Sequence, residues 1–300
     1  MKSLIGLCAA ALSLAAVISA VAQEQSSATM SPPKILTITR EFVKPGKAGA
    51  MHDKTETAFV QAMAHAKVPT HYLGMNSITG KSRSLFFTGY DSLDAWEKDV
   101  ASQQKNAVLS AALERAGTAD GELLDSLDTG AFLYNAEYSI NQQAEHATSA
   151  TRYFQVDVYH VKPGHHKEWD EAVKMVMEGY KKSQLGAHWA CYESLYGSPE
   201  GTYLFISAFK SANEVDGILA HNKDFMAAMG EDGMKKLEEI AGTTIESDES
   251  NLFALNPNMS YVPAEWLKAD DFWKLKGGNS VAAAPKKPAE KPAEKSGAGQ

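Results

Sequence analysis

One short turn, present twice, constrains this chain more than any other stretch. Val43-Lys44-Pro45-Gly46 returns as Val161-Lys162-Pro163-Gly164, 118 residues further on. Each copy follows a strand-like run and precedes a helix-like one. Proline withdraws a backbone donor and glycine frees the backbone, so the pair ends a strand at the same point in both halves. The first strand is read at 35–43: Leu36, Ile38 and Phe42 share one face, and Thr37, Thr39 and Glu41 share the other. In the second copy Phe154, Val156 and Val158 stand at the places of Leu36, Ile38 and Arg40. Gln155, Asp157 and Tyr159 stand at those of Thr37, Thr39 and Glu41.

The helix after the first turn is expected over 47–67. Its apolar face comprises Met51, Thr55, Ala58, Phe59, Ala62, Met63 and Ala66. At the same offset the second helix has Trp169, Val173, Val176, Met177 and Tyr180. A strand face, a turn and a helix face repeated in register point to one supersecondary unit used twice. Strands follow at 70–78 and 84–90, helical patterns at 92–115 and 119–127, and a fourth strand at 131–134. The order βαββαβ, with one extra helix, describes an α+β, ferredoxin-like split βαβ unit. The two repeats are placed at 35–138 and 152–262, with a polar linker at 139–151. A short aromatic helix follows at 263–276, in which Trp266 and Trp273 pack onto the body.

The ends read differently. Lys2, the apolar run from Leu4 to Val21, and Ala20-Val21-Ala22 form a signal peptide over 1–22 with cleavage before Gln23, so the chain is expected in the periplasm or secreted. No integral membrane segment then remains. A polar leader covers 23–34. Residues 277–300 repeat Pro-Ala-Glu-Lys, cannot bury a core, and read as a disordered tail that either solubilises the chain or contacts the envelope. Cleavage leaves one cysteine, Cys191, and hence no internal disulfide. Its aromatic, strand-like surroundings indicate a buried, inert thiol. The formal charge of −8 argues against a general nucleic-acid binder, which needs a basic face.

The paired βαββαβ halves, the Val-Lys-Pro-Gly turn after each first strand, and a Phe/Tyr-rich third strand running into Asp91-Ser92-Leu93 or Lys210-Ser211-Ala212 resemble the dimeric α/β-barrel superfamily. That group includes antibiotic-biosynthesis-type monooxygenase domains. The resemblance implies two sheets placed face to face as a barrel, here supplied by a single chain as an intrachain dimer. It also implies a choice among cofactor-free oxygenation, haem-assisted oxygenation and simple binding. No residue role is carried over from it, and the cofactor stays unknown.

If the apolar face of each first strand meets the helices, Thr39, Glu41, Asp157 and Tyr159 point into the barrel, and a cavity between the sheets could hold a small molecule. His71 and His188 open equivalent strands and complete the candidate cavity set. No catalytic residue is assigned. His160, His165 and His166 surround the second turn but leave a strand and a helix start in diverging directions, so no metal ligands are read there. No glycine-rich phosphate loop, serine nucleophile elbow or His-Glu-x-x-His run occurs. Three functions remain: a small-molecule-binding module, a cofactor-free or haem-assisted monooxygenase-like enzyme, and an envelope structural protein.

Overall fold

A computed structural model describes residues 32–140 and 147–275; the signal-peptide and tail readings lie outside them. The first repeat runs β1 (Ile35–Val43), α1 (Ala50–Ala66), β2 (Tyr72–Ser77), β3 (Arg83–Tyr90), α2 (Leu93–Lys105), α3 (Ala107–Gly121) and β4 (Leu124–Ile140). The second runs β5 (Tyr153–Val161), α4 (His166–Ser183), β6 (Trp189–Tyr196), β7 (Thr202–Phe209), α5 (Ala212–Ala220), α6 (Asn222–Thr244) and β8 (Ile245–Leu255). A short α7 (Ala264–Ala269) follows. Both turn glycines adopt the positive φ the turn demands, 77° at Gly46 and 85° at Gly164.

The eight strands close into one barrel in the order β1-β3-β2-β8-β5-β7-β6-β4. Each repeat supplies one run of four, β4-β1-β3-β2 or β8-β5-β7-β6, and the seams are the antiparallel pairs β2–β8 and β4–β6. Closure leaves no edge strand to be protected. The helix expected at 119–127 stops at Gly121, and β4 starts at Leu124. The reason is tertiary: β1 pairs along β4 as far as Val43 opposite Leu124, and that ladder outweighs local helix propensity.

The expected orientation of the strand faces is inverted. Leu36, Ile38, Phe154 and Val156 do not meet the helices. They join Leu73, Met75, Phe87, Phe132, Leu204, Ile206, Phe253 and Leu255 in one apolar cluster drawn from strands all round the barrel. Their alternates on β1 and β5, including Thr39, Glu41, Asp157 and Tyr159, lie outside the barrel, on the side the helices cover. Alternation along each strand was read correctly, but it does not say which parity faces inward. Inward side chains are walled by strands on every side, so burying polar groups there is costly and the interior takes the apolar parity.

One cluster continues from the barrel into the chain's C-terminal segment. Trp266 and Trp273 are 0% and 1% exposed and pack with their rings 5.1 Å apart. The indole Nε1–H of Trp273 donates to the Ser149 carbonyl at 2.7 Å. Arg152 clamps the same segment: it pairs with Asp270, and its guanidinium lies over the Phe272 ring at 4.0 Å. Trp266→Ala is therefore expected to cost about 3–5 kcal/mol. Urea unfolding should show this as a lower midpoint at unchanged slope; a midpoint within error of the parent would show that the segment is dispensable.

Candidate functional site

In the second repeat the space between the sheet and α4, α5 and α6 encloses a cavity of about 320 Å3. Its floor comes from β5, β6 and β7 through Asp157, Tyr159, Trp189, Phe205 and Ser207, and its roof from Trp169, Val173, Val176 and Tyr180 of α4, with Ile218 and Leu237 above. The aromatic walls brace one another. Tyr159 stands 5.3 Å from Trp169 and 5.6 Å, edge-on, from Phe205. The α4 ring Tyr180 stands 5.3 Å from Trp189. The amphipathic spacing of α4 places these residues on its inner side, as the sequence pattern indicated.

Against this apolar surface stand a few polar groups. Asp157 accepts hydrogen bonds from Gln155 Nε2 at 2.9 and 3.1 Å. Burial pushes its carboxyl above the usual range, against the lowering effect of Ser250 and Gln155. Burial likewise pushes the Tyr159 phenol up to about 12. His188 closes one end: Nε2 donates to the Ala208 carbonyl at 2.9 Å, and Nδ1 lies 3.3 Å from the Gly186 carbonyl. The indole N–H of Trp169, 4% exposed, finds no acceptor among the described residues. The structure thus brings Asp157, Tyr159 and His188 of the expected set to one cavity, but beneath the helices rather than between the sheets.

The remaining expected residues lie elsewhere. Thr39 shares a hydrogen bond with Thr129 at 3.0 Å along the β1–β4 ladder. His71 stacks on Tyr261 with ring centroids 4.8 Å apart, and burial lowers its pKa. Glu41 is buried beneath α1 and α3 with His52, Glu56 and Asp120. The two repeats match here contact for contact. Glu41 pairs with Ser84 across β1 and β3 and touches His52; Tyr159 pairs with Tyr203 across β5 and β7 and touches Trp169. Burial opposes a charge on His52, but hydrogen bonds to Asp120 and Glu41 outweigh it and push its pKa up to about 10. Burial, with the charges of Glu41 and Asp120, pushes Glu56 up to about 9. Cys191 is fully buried, and burial pushes its thiol up.

The barrel interior has its own cavity of about 470 Å3, at the end near Pro32, Pro33 and Asp91. Its inner walls are Leu36, Leu73, Phe87, Phe154, Tyr192 and Ile206. None of the six expected cavity residues lines it.

The strand order and the closed barrel define the class: an α+β barrel closed by two ferredoxin-like repeats within one chain. No protein-family profile matches the sequence, and no curated protein matches it. Among solved structures, a proposed monooxygenase from Lactobacillus acidophilus is 12% identical at a TM-score of 0.45, over 77% of this chain and 96% of that one. An anthrone oxidase-like protein is 15% identical at 0.45, over 76% and 94%. A chlorite dismutase from Candidatus Nitrospira defluvii is 8% identical at 0.41, over 79% and 95%. These are likenesses of fold.

The raised pKa of Asp157 has a signed consequence. In the fold the carboxyl keeps its proton at pH values where the unfolded chain, near 3.8, has lost it. Its contribution to stability is therefore fully present below the unfolded value and is lost as pH rises through the folded one. Asp157→Asn removes that loss. The variant's melting temperature should gain on the parent's as pH rises from about 4 to about 7. A difference that stays flat or shrinks over that range would show that the carboxylate is fully compensated.

Proposed function

We propose that the protein is an exported small-molecule-binding protein whose ligand lies in the helix-covered cavity of the second repeat. The observation that carries this reading is the one carboxylate among the lining residues, Asp157, set with Gln155, His188 and Ser207 on the wall of a mostly aromatic and aliphatic chamber. Apolar walls with a few convergent polar groups are what a small-molecule site requires. The chemistry selects a planar, mostly apolar ligand with one hydroxyl-type donor turned toward Asp157, ring faces against Trp169 and Phe205, and an acceptor available to the Trp169 N–H. Export rests on the sequence of residues 1–22.

The same carboxylate supports a second reading, a cofactor-free, monooxygenase-like enzyme. A carboxylate in an apolar chamber is a stronger base than one in water, and proton removal from a bound phenol would be its first task. Haem fits the cavity poorly. The one histidine on its wall, His188, uses Nε2–H toward the Ala208 carbonyl, and its Nδ1 faces the Gly186 carbonyl, so neither nitrogen is presented to an iron.

Binding of 2-naphthol, followed through the protein's tryptophan fluorescence, tests both readings. The parent should bind one equivalent saturably. Val176→Trp, which fills the chamber from α4, should abolish binding. Asp157→Asn should weaken it about 10- to 100-fold, the worth of a hydrogen bond to a charged group. Naphtholate absorbance in the bound state below the free phenol's ionisation range would favour the enzyme. Saturable binding that neither substitution alters would place the ligand elsewhere and remove the proposal.

A further inference from the structure

We propose that Glu41, His52, Glu56 and Asp120 bind one divalent transition-metal ion between the sheet of the first repeat and its helices. Glu41 comes from β1, His52 and Glu56 from successive turns of α1, and Asp120 from the end of α3. All four side chains are buried, and one ligand atom from each lies within 4.8 Å of the others. His52 Nε2 is 3.1 Å from Glu41 Oε2, 3.3 Å from Asp120 Oδ1 and 3.8 Å from Glu56 Oε1. Metal–ligand bonds of about 2.0–2.2 Å place pairs of ligand atoms about 3 to 4.4 Å apart, so small rotations would bring the set onto one ion.

Three further observations point to a ligand. The first is the orientation of the His52 ring. Ser84 Oγ–H donates to Asn76 Oδ1 at 2.6 Å, so the hydroxyl is left to accept from His52 Nδ1, 3.4 Å away. That contact fixes the ring so that Nε2 faces the carboxyl groups of Glu41, Asp120 and Glu56, an imidazole and three acid side chains turned toward one point. A hydrogen bond on the far nitrogen is the usual orienting device for a metal-bound imidazole. The second is Glu56, 3% exposed, whose side chain meets Asp120 but whose Oε1 points into the cluster with no hydrogen-bond partner among the described residues. Among the described residues the three carboxylates have no ion-pair partner but His52. The third is the other repeat. There Tyr159, Trp169 and Tyr203 fill the matching place, so the fold does not need carboxylates or an imidazole in it. Buried charges add little stability over apolar packing and are destabilising when left incomplete.

The ligand set narrows the ion. Imidazole suits zinc and iron, carboxylates suit manganese, and one histidine with three carboxylates lies between them. Mn2+ represents the carboxylate-favoured end of this range and Zn2+ the imidazole-favoured end. Two probes therefore suffice, Mn2+ and Zn2+.

The full chain, stripped with EDTA, is titrated with each ion by calorimetry. The proposal expects uptake of one equivalent of at least one ion and a higher melting temperature on loading. Glu56→Gln and His52→Gln should each reduce affinity at least about 100-fold, and Ser84→Ala about 10- to 100-fold, the range seen when an orienting partner is lost. Far-ultraviolet circular dichroism checks that each variant is folded. Where a variant does not fold, X-ray absorption on the loaded parent decides: one imidazole nitrogen among oxygen ligands supports the site, and a shell without imidazole overturns it. No stoichiometric uptake of either ion by the parent, or undiminished uptake by folded Glu56→Gln, also overturns it.

Discussion

Closure of the antiparallel ladder governs everything else in this molecule. Once eight strands join without an edge, every strand has one parity inside and one outside, and no strand can turn over without breaking its hydrogen bonds to both neighbours. The inside is surrounded by strands, so Leu36, Ile38, Phe154, Val156 and their counterparts take it. The polar parity must then sit outside, and helices covering that side turn an exposed sheet face into enclosed chambers. The sites are consequences of closure.

Each repeat has such a helix-covered sheet face, and the two differ at matched positions. The second repeat fills the place nearest the turn with Tyr159, Trp169 and Tyr203 and leaves an apolar cavity beyond it. The first repeat puts Glu41, His52 and Ser84 there and closes the space with Glu56 and Asp120. One backbone thus supports an aromatic-lined cavity in one half and an acid–imidazole quartet in the other. Function on this fold belongs to the chamber contents, which is why likeness of barrel alone does not specify a reaction.

The repeated turn made the architecture legible from sequence, and a spacing of 118 residues gave the matching strands. The inward face was not legible, because alternation fixes parity without fixing side. The acid–imidazole quartet was hidden by a slip of one residue. The connection from Gly46 to His52 is one residue longer than that from Gly164 to Trp169, and Gly49, at φ 76°, lies within it. His52 therefore matches Trp169, and Glu56 matches Val173, where a constant spacing selects Met51 and Thr55. The structure shows the result: His52 is 1% exposed and Met51 49%. One available signal was the i, i+4 pair His52 and Glu56 on a helix otherwise read as apolar on its inner side. The contrast of Trp169 and Tyr180 with the smaller residues of α1 was another. Asp120 carried no signal, since the helix end that positions it is set by the pairing of β4 with β1.

The central claim is that the chemistry lies beneath the helices and not within the barrel. A crystal structure of the chain soaked with a heavy-atom-labelled aromatic, such as a bromonaphthol, tests it most directly, because the anomalous signal of bromine locates the ligand independently of the phases. The account predicts bromine density between the sheet and α4, within contact of Trp169 and Phe205. Density inside the barrel, against Phe87 and Phe154, would contradict it.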